Sequence, residues 1–592
     1  MRKNIPAQFF VFLTGITFCL FLFGLGEKLS FLTNNFGRIF AWVPGDIFDG
    51  SLNNWFLENN LQYFLRGGNI FNIKDVFNTG IYWPAKNTMA MSVNWLFLSP
   101  FYALIRLILS PAYAFTAIIC LSLTANVMAC FRICRHATDK KFFRLVAAFL
   151  SGFSLTVLAR LGHGQLMPAF AGVLAIDSFL DALHITNTSD LQNNIDKNSK
   201  NKVLVNEISF SSSKIFTGVI WLLIQIGIGF YQGVFFSIAT LSILSVILFE
   251  RFINKNLRLR VINNDYISGN RSKYIFSLKL FIFSLLVILN GLIYNQYFLY
   301  SRLRGGRSWG EVSVMIPKIW SLFFNTLSNT NSVSFPAPIQ SVTYPGPFWE
   351  HSMFPGYTFY VIISFGILFG LKKTFLKGEN AIRKWRVMTL SKATLVMLLI
   401  SLGIGGVNPV LTIWLFFWKL IPGISALRAV SRIGIPIVLL LSPLIAWSLS
   451  ELYYRLNKKD MTILSTFLLI LFLTGNITKG IKRFDSLDYE MKINSVSSKI
   501  EKIVKEKNCK VFYLKSPDTK NWMYDRVHPQ MMASWTSLRI GIPTSSGYSG
   551  SEPAGWTFSF NETQYNNWLK NYGIDEEFIK NESCWINGED VL

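Results

Sequence analysis

Long apolar runs separated by short polar stretches dominate the pattern of this chain. Because a helix needs about 20 mostly apolar residues to cross a bilayer, each such run is a candidate transmembrane segment. Eleven runs qualify, at 7–26, 112–130, 142–160, 166–184, 214–231, 233–249, 275–294, 357–371, 391–407, 432–450 and 461–478. Prolines bracket two further apolar stretches, 93–110 and 409–421, which we assign as re-entrant or interfacial segments. The pattern predicts a mostly α-helical bundle of about eleven spans, and up to thirteen if these two stretches also cross.

Basic residues set the orientation of the predicted bundle. They cluster near 132–141, 251–273, 372–386 and 455–459, and with eleven spans these clusters share one side. Positive charge marks the cytoplasmic side of a membrane protein. We therefore predict a multi-pass protein of the cytoplasmic (inner) membrane with a cytoplasmic N-terminus. The outer side then receives a first outer loop, 27–91, a second outer loop, 295–356, and the tail from 479.

Composition agrees with a membrane protein and sets aside several functions. Hydrophobic residues make up 51% of the chain and the mean hydropathy is +0.36, well above soluble globular proteins. The net charge of +24 lies mostly in short loops beside spans, where it sets topology and contacts anionic lipid. We expect membrane lipids and not nucleic acid as partners. The sequence contains no zinc-ligand spacing, P-loop, dinucleotide fingerprint or nucleophile elbow, which sets aside nucleotide hydrolysis and soluble-cofactor redox chemistry.

Two segments outside the predicted spans have contrasting patterns. The Asn-, Lys- and Ser-rich stretch from Asn187 to Lys214 is typical of a flexible cytoplasmic loop. The tail instead combines apolar spacing of a helix around 486–507, a buried strand at 511–514 and a Gly- and Pro-rich section. We predict a transmembrane domain at 1–478 and a small extracytoplasmic α/β domain at 479–592.

Of the six cysteines, Cys509 and Cys584 share the tail. They form either a disulfide, as an oxidising compartment would favour, or two free buried thiols.

The first outer loop carries acidic residues immediately after the first span. Asp46 and Asp49 precede a helix-like segment, and Glu58 lies within it. One carboxylate near the bilayer surface could take a proton from an acceptor hydroxyl while the other orients it or helps to hold a cation. A simpler alternative is that Asp49 or Ser51 caps the helix by accepting backbone N–H bonds.

The segment that follows predicts an amphipathic helix lying in the membrane interface. Its apolar stripe consists of Leu52, Trp55, Phe56 and Tyr63.

The loop and the span pattern together resemble the GT-C superfamily of glycosyltransferases, which use polyprenyl-phosphate-linked sugars. The segment Phe48-Asp49-Gly50-Ser51-Leu52-Asn53 is similar to the F-D-P-x-x-N segment of the oligosaccharyltransferase catalytic subunit, with Gly50 in place of proline. This similarity favours Asp49 over Asp46 as the key carboxylate. The chain departs from the adjacent acidic pair of GT-C loops and lacks the W-W-D-Y-G motif for peptide acceptors, so protein N-glycosylation is not expected.

A closer likeness is to bacterial membrane proteins of unassigned function with GT-C character. The matching segments are spread over nearly the whole chain. They are Gly45-Asp46, Asp49, Leu57-Glu58, Tyr82-Trp83-Pro84-Ala85-Lys86, Gly162-His163-Gly164-Gln165-Leu166, Phe354-Pro355-Gly356, Leu427-Arg428-Ala429-Val430-Ser431-Arg432 and Gly547-Tyr548-Ser549-Gly550.

The resemblance implies an inverting sugar transfer from a polyprenyl-phosphate donor to an extracytoplasmic glycan or lipid acceptor. Asp49 or Asp46 would be the base. For the donor phosphate, Arg428 and Arg432 are four apart and would share one helix face, although arginines at a helix end also snorkel to the interface. Lys86 and Arg304, the latter with Arg307, are further candidates for the phosphate. Candidate acceptor or sugar contacts are Glu58, His163, Glu350, His351, Tyr548 and Glu552.

Metal use and two rival functions stay open. Oxygen ligands from the Asp pair would suit Mg²⁺ or Mn²⁺, and relatives differ in this requirement. A transporter or flippase of lipid-linked glycans would carry charges in mid-span and an inverted repeat, and we find no such repeat. A non-catalytic envelope glycan assembly protein would explain the spans but not the acidic loop.

Overall fold

The computed structural model describes most of the chain. The described residues are 5–24, 42–45, 47–69, 72–186, 207–253, 258–262, 270–304, 307–324, 348–371, 379–404, 411–421, 423–475, 483–517 and 522–592. The α-helices are Ile5–Gly24, Asp49–Leu65, Ile73–Phe77, Ser99–Arg106, Pro111–Ile133, Lys141–Gly152, Leu155–Leu158, Phe170–Ala182, Ser212–Ile228, Phe230–Ile253, Asn270–Arg304, Trp309–Ser313, Tyr357–Leu371, Glu379–Ser401, Trp414–Leu420, Gly434–Leu440, Ser442–Arg455, Lys458–Gly475, Ser486–Glu506, His528–Ile540, Glu562–Asn571, Glu576–Glu582 and Gly588–Val591. The strands are Trp42–Pro44, Leu183–Thr186, Glu207–Ser211, Arg258–Ile262, Gly403–Ile404, Leu411–Thr412, Arg483–Asp485, Val511–Lys515 and Ser583–Asn587.

Helices account for the predicted apolar runs. Five are long and apolar enough to cross a membrane among the described residues, namely Pro111–His136, Lys141–Leu158, Phe230–Ile253, Ser277–Arg302 and Val430–Arg455. Shorter apolar helices lie at Ala7–Cys19, Ser212–Ile228 and Tyr357–Phe369. The count of eleven spans stays a prediction. The two proline-bracketed stretches contain helices of eight and seven residues, Ser99–Arg106 and Trp414–Leu420, which are shorter than a bilayer crossing of about 20 residues.

The stretch predicted as a flexible loop ends in regular structure. Glu207–Ser211 is a strand, because it pairs antiparallel with Leu183–Thr186 and parallel with Arg258–Ile262. The prediction of a flexible loop reaching Lys214 was therefore wrong for Glu207–Ser211, because this segment pairs with strands that lie outside the predicted loop.

The helix Asp49–Leu65, which we call the first-loop helix, is buried over most of its length and becomes exposed at its end. All residues from Gly50 to Asn60 are buried, so the prediction of a helix lying in the membrane interface was wrong. Some buried polar groups bond to neighbours: Trp95 Nε1 donates to Asn53 Oδ1 at 3.0 Å, and Asn60 Nδ2 donates to a backbone carbonyl at 2.7 Å, while Asn60 Oδ1 has no partner among the described residues. A buried polar residue is tolerated when it is hydrogen-bonded in this way.

The C-terminal unit, residues 483–517 and 522–592, is what covers this helix. Helix Ser486–Glu506 packs on His528–Ile540, and strand Val511–Lys515 pairs in parallel with Ser583–Asn587. The helix and strand bounds agree with those predicted around 486–507 and 511–514. Cys509 and Cys584 are joined as a disulfide, with their Cα atoms 5.8 Å apart.

Backbone pairing attaches the C-terminal unit to the first outer loop. Strand Trp42–Pro44 pairs antiparallel with Arg483–Asp485. Further along the loop, Tyr82 N donates to the Ser546 carbonyl at 3.1 Å and Trp83 N donates to the Thr544 carbonyl at 3.0 Å. One cluster of buried apolar side chains continues from the helical bundle into this unit. The loop, the bundle and the unit therefore form one packed body around the first-loop helix.

Candidate functional site

Five charged or titratable side chains converge where the first-loop helix begins. We call them the charge cluster, and they are Asp49, Arg160, His163, Glu350 and Arg432. The cluster unites the first outer loop, the turn before Gly164, the 3₁₀ turn Phe348–His351 and the 3₁₀ turn Val430–Ile433. Residues separated by almost 400 positions therefore meet at one point.

Glycine makes this convergence possible. Gly45 has a φ of +105°, and a Cβ atom added to it would lie 2.5 Å from the Gly162 Cα. A positive φ favours glycine, and the two backbones touch because neither residue carries a side chain. This close approach brings the turn holding His163 against the start of the first-loop helix.

His163 links the two carboxylates of the charge cluster. Its Nδ1 lies 3.0 Å from Asp49 Oδ2, and its Nε2 lies 3.3 Å from Glu350 Oε1. Nε2 is also 3.2 Å from Arg432 Nη2. A protonated ring donates to both carboxylates, whereas a neutral ring with its proton on Nδ1 donates to Asp49 and accepts from Arg432. In both states the ring keeps Asp49 oriented.

Glu350 is the anchor of the cluster. Its Oε2 lies 2.6 Å from Arg160 Nη1 and its Oε1 lies 2.7 Å from Arg432 Nη2. The side chains of Arg160, Glu350 and Arg432 are only 2%, 3% and 6% exposed. Buried charges need such pairing, because removal from water is costly. Two acids and two guanidiniums balance when His163 is neutral, so the cluster is electrically compensated.

Asp49 is the accessible member of the cluster, with 28% of its side chain exposed. Tyr548, from the C-terminal unit, donates its hydroxyl to Asp49 Oδ1 at 3.2 Å. Both carboxylate oxygens are therefore held by named donors while part of the group faces solvent. This combination leaves an oriented, reachable carboxylate.

The surroundings favour the ionised form of both acids. Burial alone would raise the pKa of Asp49, but the hydrogen bond and charge of His163 outweigh it, so this pKa lies below its ordinary 3.8. Burial opposes ionisation of Glu350 as well, yet Arg432 and Arg160 hold its pKa well below the ordinary 4.5. For His163, burial and Arg432 would lower the pKa, but the hydrogen bonds to Asp49 and Glu350 raise it above 6.5.

A second basic group lies beside the charge cluster. Arg307 Nη1 and Arg428 Nη1 lie 2.9 and 3.4 Å from the same oxygen, Glu311 Oε1, and all three side chains are partly exposed. Arg428 N donates to the Tyr231 hydroxyl at 2.9 Å, and the Arg432 guanidinium lies 5.0 Å from the centre of the Tyr231 ring. Tyr231 therefore connects this arginine pair to the charge cluster.

The prediction that Arg428 and Arg432 share one helix face was wrong. The chain there forms 3₁₀ turns at Ile424–Ala426 and Val430–Ile433 with an irregular link between them. Arg432 consequently points to Glu350, and Arg428 points to Glu311.

Several candidates from the sequence lie elsewhere. Glu58 faces away from Asp49 and binds Arg106 at 2.8 Å. His351 is buried, with its ring nitrogens 3.1 Å from Ser321 Oγ and 3.0 Å from the Val314 carbonyl, and burial lowers its pKa to about 4.

The remaining candidates lie outside the charge cluster or outside the described residues. Glu552 lies near the buried Tyr82 phenol. Burial raises the pKa of Tyr82, and the negative charge of Glu552 raises it further. Lys86 is exposed in the turn after Pro84. Arg304 ends the helix Asn270–Arg304, but its side chain lies outside the described residues, as does all of Asp46.

Sequence reasoning missed Arg160, Glu311 and Tyr231. Arg160 had a usable signal, because it ends a predicted span on the outer side, where positive charge is normally sparse. Glu311 and Tyr231 had no distinguishing local pattern and become visible only through their partners in space.

The predicted cation site at Asp46 and Asp49 stays a prediction, because Asp46 lies outside the described residues. Across the described ranges, no group of three His, Cys, Asp or Glu side chains is placed so that it could hold a metal ion. Asp49 and Glu350 are separated by the His163 ring, and Glu350 already pairs with two guanidiniums.

Comparison with solved structures finds similarities that include two archaeal oligosaccharyltransferase structures. The apo Archaeoglobus fulgidus oligosaccharyltransferase is similar with a TM-score of 0.43 and 12% identity, covering 91% of this chain and 64% of that one. The archaeal oligosaccharyltransferase AglB from Archaeoglobus fulgidus, in complex with an inhibitory peptide and a dolichol-phosphate, gives a TM-score of 0.44 and 11% identity, covering 92% and 65%. This chain thus spans slightly less than two thirds of those proteins.

No protein-family model matches the sequence, and no curated protein matches it. Both TM-scores lie below 0.5, so this likeness carries no argument about function.

Proposed function

We propose that this protein is a membrane glycosyltransferase that transfers a sugar from a polyprenyl-phosphate donor to a hydroxyl of a glycan or lipid acceptor, with inversion, on the extracytoplasmic side. The observation that carries the proposal is the oriented, partly exposed Asp49 carboxylate, with two partly exposed arginines linked to its charge cluster through Tyr231. A base and a phosphate anchor are the two groups that this chemistry requires.

Asp49 is the proposed general base. As the acceptor oxygen attacks the anomeric carbon, its proton passes to Asp49, and the bond from that carbon to the donor phosphate oxygen breaks. The phosphate leaves with the bonding electron pair, so a single displacement inverts the sugar. A low pKa keeps Asp49 ionised at neutral pH, and positioned proton transfer of this kind contributes roughly 10²–10⁴-fold to rate.

Arg307 and Arg428 are the proposed anchor for the departing phosphate. Both guanidiniums already converge on an anionic oxygen, that of Glu311, and guanidinium groups bind phosphate oxygens well. Arg432 has a different proposed role, because its pairing with Glu350 positions His163 and hence Asp49. The apolar helices of the bundle would face the lipid chain of the donor.

The test is product formation by the purified full-length protein. It is incubated with polyprenyl-phosphate sugars carrying radiolabelled hexoses or pentoses, together with a glycan and lipid extract as acceptor. The proposal predicts labelled acceptor product. The transferase proposal would be rejected in favour of a transporter if no product formed with any donor and vesicles that contain the protein moved lipid-linked glycan across their membrane.

A matched arginine pair tests the phosphate anchor. Arg428→Gln removes a proposed phosphate contact, and loss of a charge-assisted hydrogen bond of about 1.5–3 kcal/mol weakens donor binding by roughly 10- to 100-fold. Arg455→Gln is the control, because the Arg455 side chain is similarly exposed and lies outside the site. Arg455 Nη2 is 2.9 Å from Glu451 Oε2. Equal donor affinity in the two variants would reject Arg428 as an anchor.

A further inference from the structure

A cleft of about 320 Å³ opens on the side of the first-loop helix that faces away from Asp49. Its other walls are the start of helix Pro111–Ile133 and the helices Ser486–Glu506 and His528–Ile540 of the C-terminal unit. The volume lies at the lower end of the range for small-molecule sites, roughly 300–1,000 Å³.

A stripe of polar side chains lines the cleft along the first-loop helix. Its members recur at intervals of three or four positions and are Ser51, Asn54, Glu58, Gln62 and Arg66. At about 100° per residue this spacing defines a single helix face. Asp49 lies on the opposite face, so the cleft is separate from the charge cluster.

Hydrogen-bonding capacity in this cleft is left unused by the protein. Asn54 is 6% exposed, and one end of its amide accepts from the Tyr102 hydroxyl at 3.2 Å. Within the described part of the chain, the other end has no hydrogen-bond partner. Gln62 donates to Glu58 at 3.0 Å, and no partner of its own carbonyl oxygen is found among the described residues. Neither atom is among the fully buried unpaired polar atoms of the described residues, so both are open to the cleft and available to hydrogen-bond a polar ligand.

Aromatic rings of fixed orientation form another wall. Trp535 Nε1 donates to Ser51 Oγ at 2.9 Å, and Ser51 Oγ donates to the Tyr489 hydroxyl at 2.9 Å. The polar atoms of both rings are thereby engaged at one edge. Trp535 is 8% exposed and Tyr489 6% exposed, so a narrow apolar edge of each ring borders the cleft.

The charges that line the cleft cancel. Two carboxylates, Glu58 and Glu490, are matched by two guanidiniums, Arg66 and Arg539. A balanced lining gives no net attraction to a phosphate or another anion. The ligand that satisfies all of these features is uncharged, rich in hydroxyl groups and apolar on its ring faces.

We propose that this cleft is a binding site for a short neutral saccharide, distinct from the charge cluster and on the other side of the first-loop helix. The inference does not depend on Asp49 being catalytic. A saccharide held there would be close to the outer ends of the predicted spans and anchored mainly by the C-terminal unit and the first-loop helix.

Binding is tested with the full chain in lipid nanodiscs prepared without sugar-based detergent, because a maltoside headgroup would compete. The probes are neutral di- to tetrasaccharides of glucose, galactose, mannose and N-acetylglucosamine, with inorganic phosphate as the anionic comparison. Saturation-transfer NMR detects contact, and titration gives the Kd. We expect at least one saccharide to bind and phosphate not to displace it.

Two variants of Gln62 test whether the saccharide binds in the cleft. Gln62→Trp fills it and weakens saccharide binding at least tenfold, while Gln62→Leu keeps the side-chain size and weakens binding by removing the amide. Leu65→Trp is the matched control on the same helix, because Leu65 is 69% exposed and does not line the cleft. Asp49→Asn keeps wild-type saccharide affinity even though transfer is lost, which separates this proposal from the proposed function.

Three results would overturn the site. They are no saccharide of the panel binding, undiminished binding in both Gln62 variants, and displacement of the saccharide by inorganic phosphate.

Discussion

Removing the Glu350 carboxylate should destabilise the protein far more than removing a carboxylate from an exposed ion pair. Glu350→Gln leaves Arg160 and Arg432 buried without their shared anion. Breaking a buried pair in this way costs about 3–5 kcal/mol of unfolding free energy, and the lower end applies because the Gln amide oxygen still accepts a hydrogen bond.

The control is Glu451→Gln. Its pair with Arg455 is similarly short, 2.9 Å, but the two side chains are 23% and 36% exposed. Exposed pairs contribute roughly 0–1 kcal/mol, so this variant should unfold almost like wild type. The comparison therefore contrasts a buried carboxylate that two guanidiniums share with an exposed carboxylate that pairs with one.

Unfolding is followed by tryptophan fluorescence of the purified variants in one detergent, as a function of denaturant. Arg160→Met combined with Glu350→Gln should cost less than the sum of the single changes, by about 0.5–3 kcal/mol, because the residues are in contact. Equal midpoints for the Glu350 and Glu451 variants, or full additivity in the double variant, would refute the buried anchor.

Three further predictions concern the residues that support the site. Because the pKa of His163 is raised in the folded state, its protonated ring stabilises the fold below pH 6.5, and this contribution is lost as the pH rises through the folded-state pKa. His163→Gln should therefore cost more stability at about pH 5.5 than at about pH 9. An equal cost at the two pH values in an unfolding experiment would contradict this. Cys509 and Cys584 close a loop with a sequence separation of 75, so Ser at both positions should destabilise the C-terminal unit by about 4 kcal/mol, measured by denaturant titration; unchanged stability would contradict the bridge. Gly45→Ala places a Cβ atom 2.5 Å from the Gly162 backbone and should lower transfer at least tenfold by separating His163 from the first-loop helix, whereas wild-type activity would show that the close approach is dispensable.

Local pattern was enough to predict much of the architecture. Apolar runs gave the helices, and the helix and strand of the C-terminal unit appear at Ser486–Glu506 and Val511–Lys515. These elements can be predicted because the spacing of apolar residues within one short segment determines each of them. The burial of the first-loop helix did not follow, because its cover is supplied by residues more than 400 positions away, as in the hydrogen bond from Trp55 to Ser534.

Several residues of the charge cluster and its surroundings were named from the sequence, but Arg160 was missed and the arrangement was not predicted. Asp49, His163, Glu350 and Tyr548 were each identified as candidates, and they lie together in the structure. Arg432 was assigned to the phosphate on the assumption of an α-helix, and the 3₁₀ turn there sends it to Glu350 instead. Which cation faces which anion depends on backbone turns and tertiary contacts that residue spacing alone does not fix.

The most direct measurement of the central claim is the single-turnover rate of sugar transfer from a polyprenyl-phosphate donor to its acceptor, compared between the wild type and Asp49→Asn. The control is Asp460→Asn, which removes an exposed carboxylate at the start of helix Lys458–Gly475. Loss of the base should lower the Asp49→Asn rate by about 10²–10⁴-fold, with donor affinity within about twofold of wild type. A wild-type transfer rate in Asp49→Asn would contradict the account.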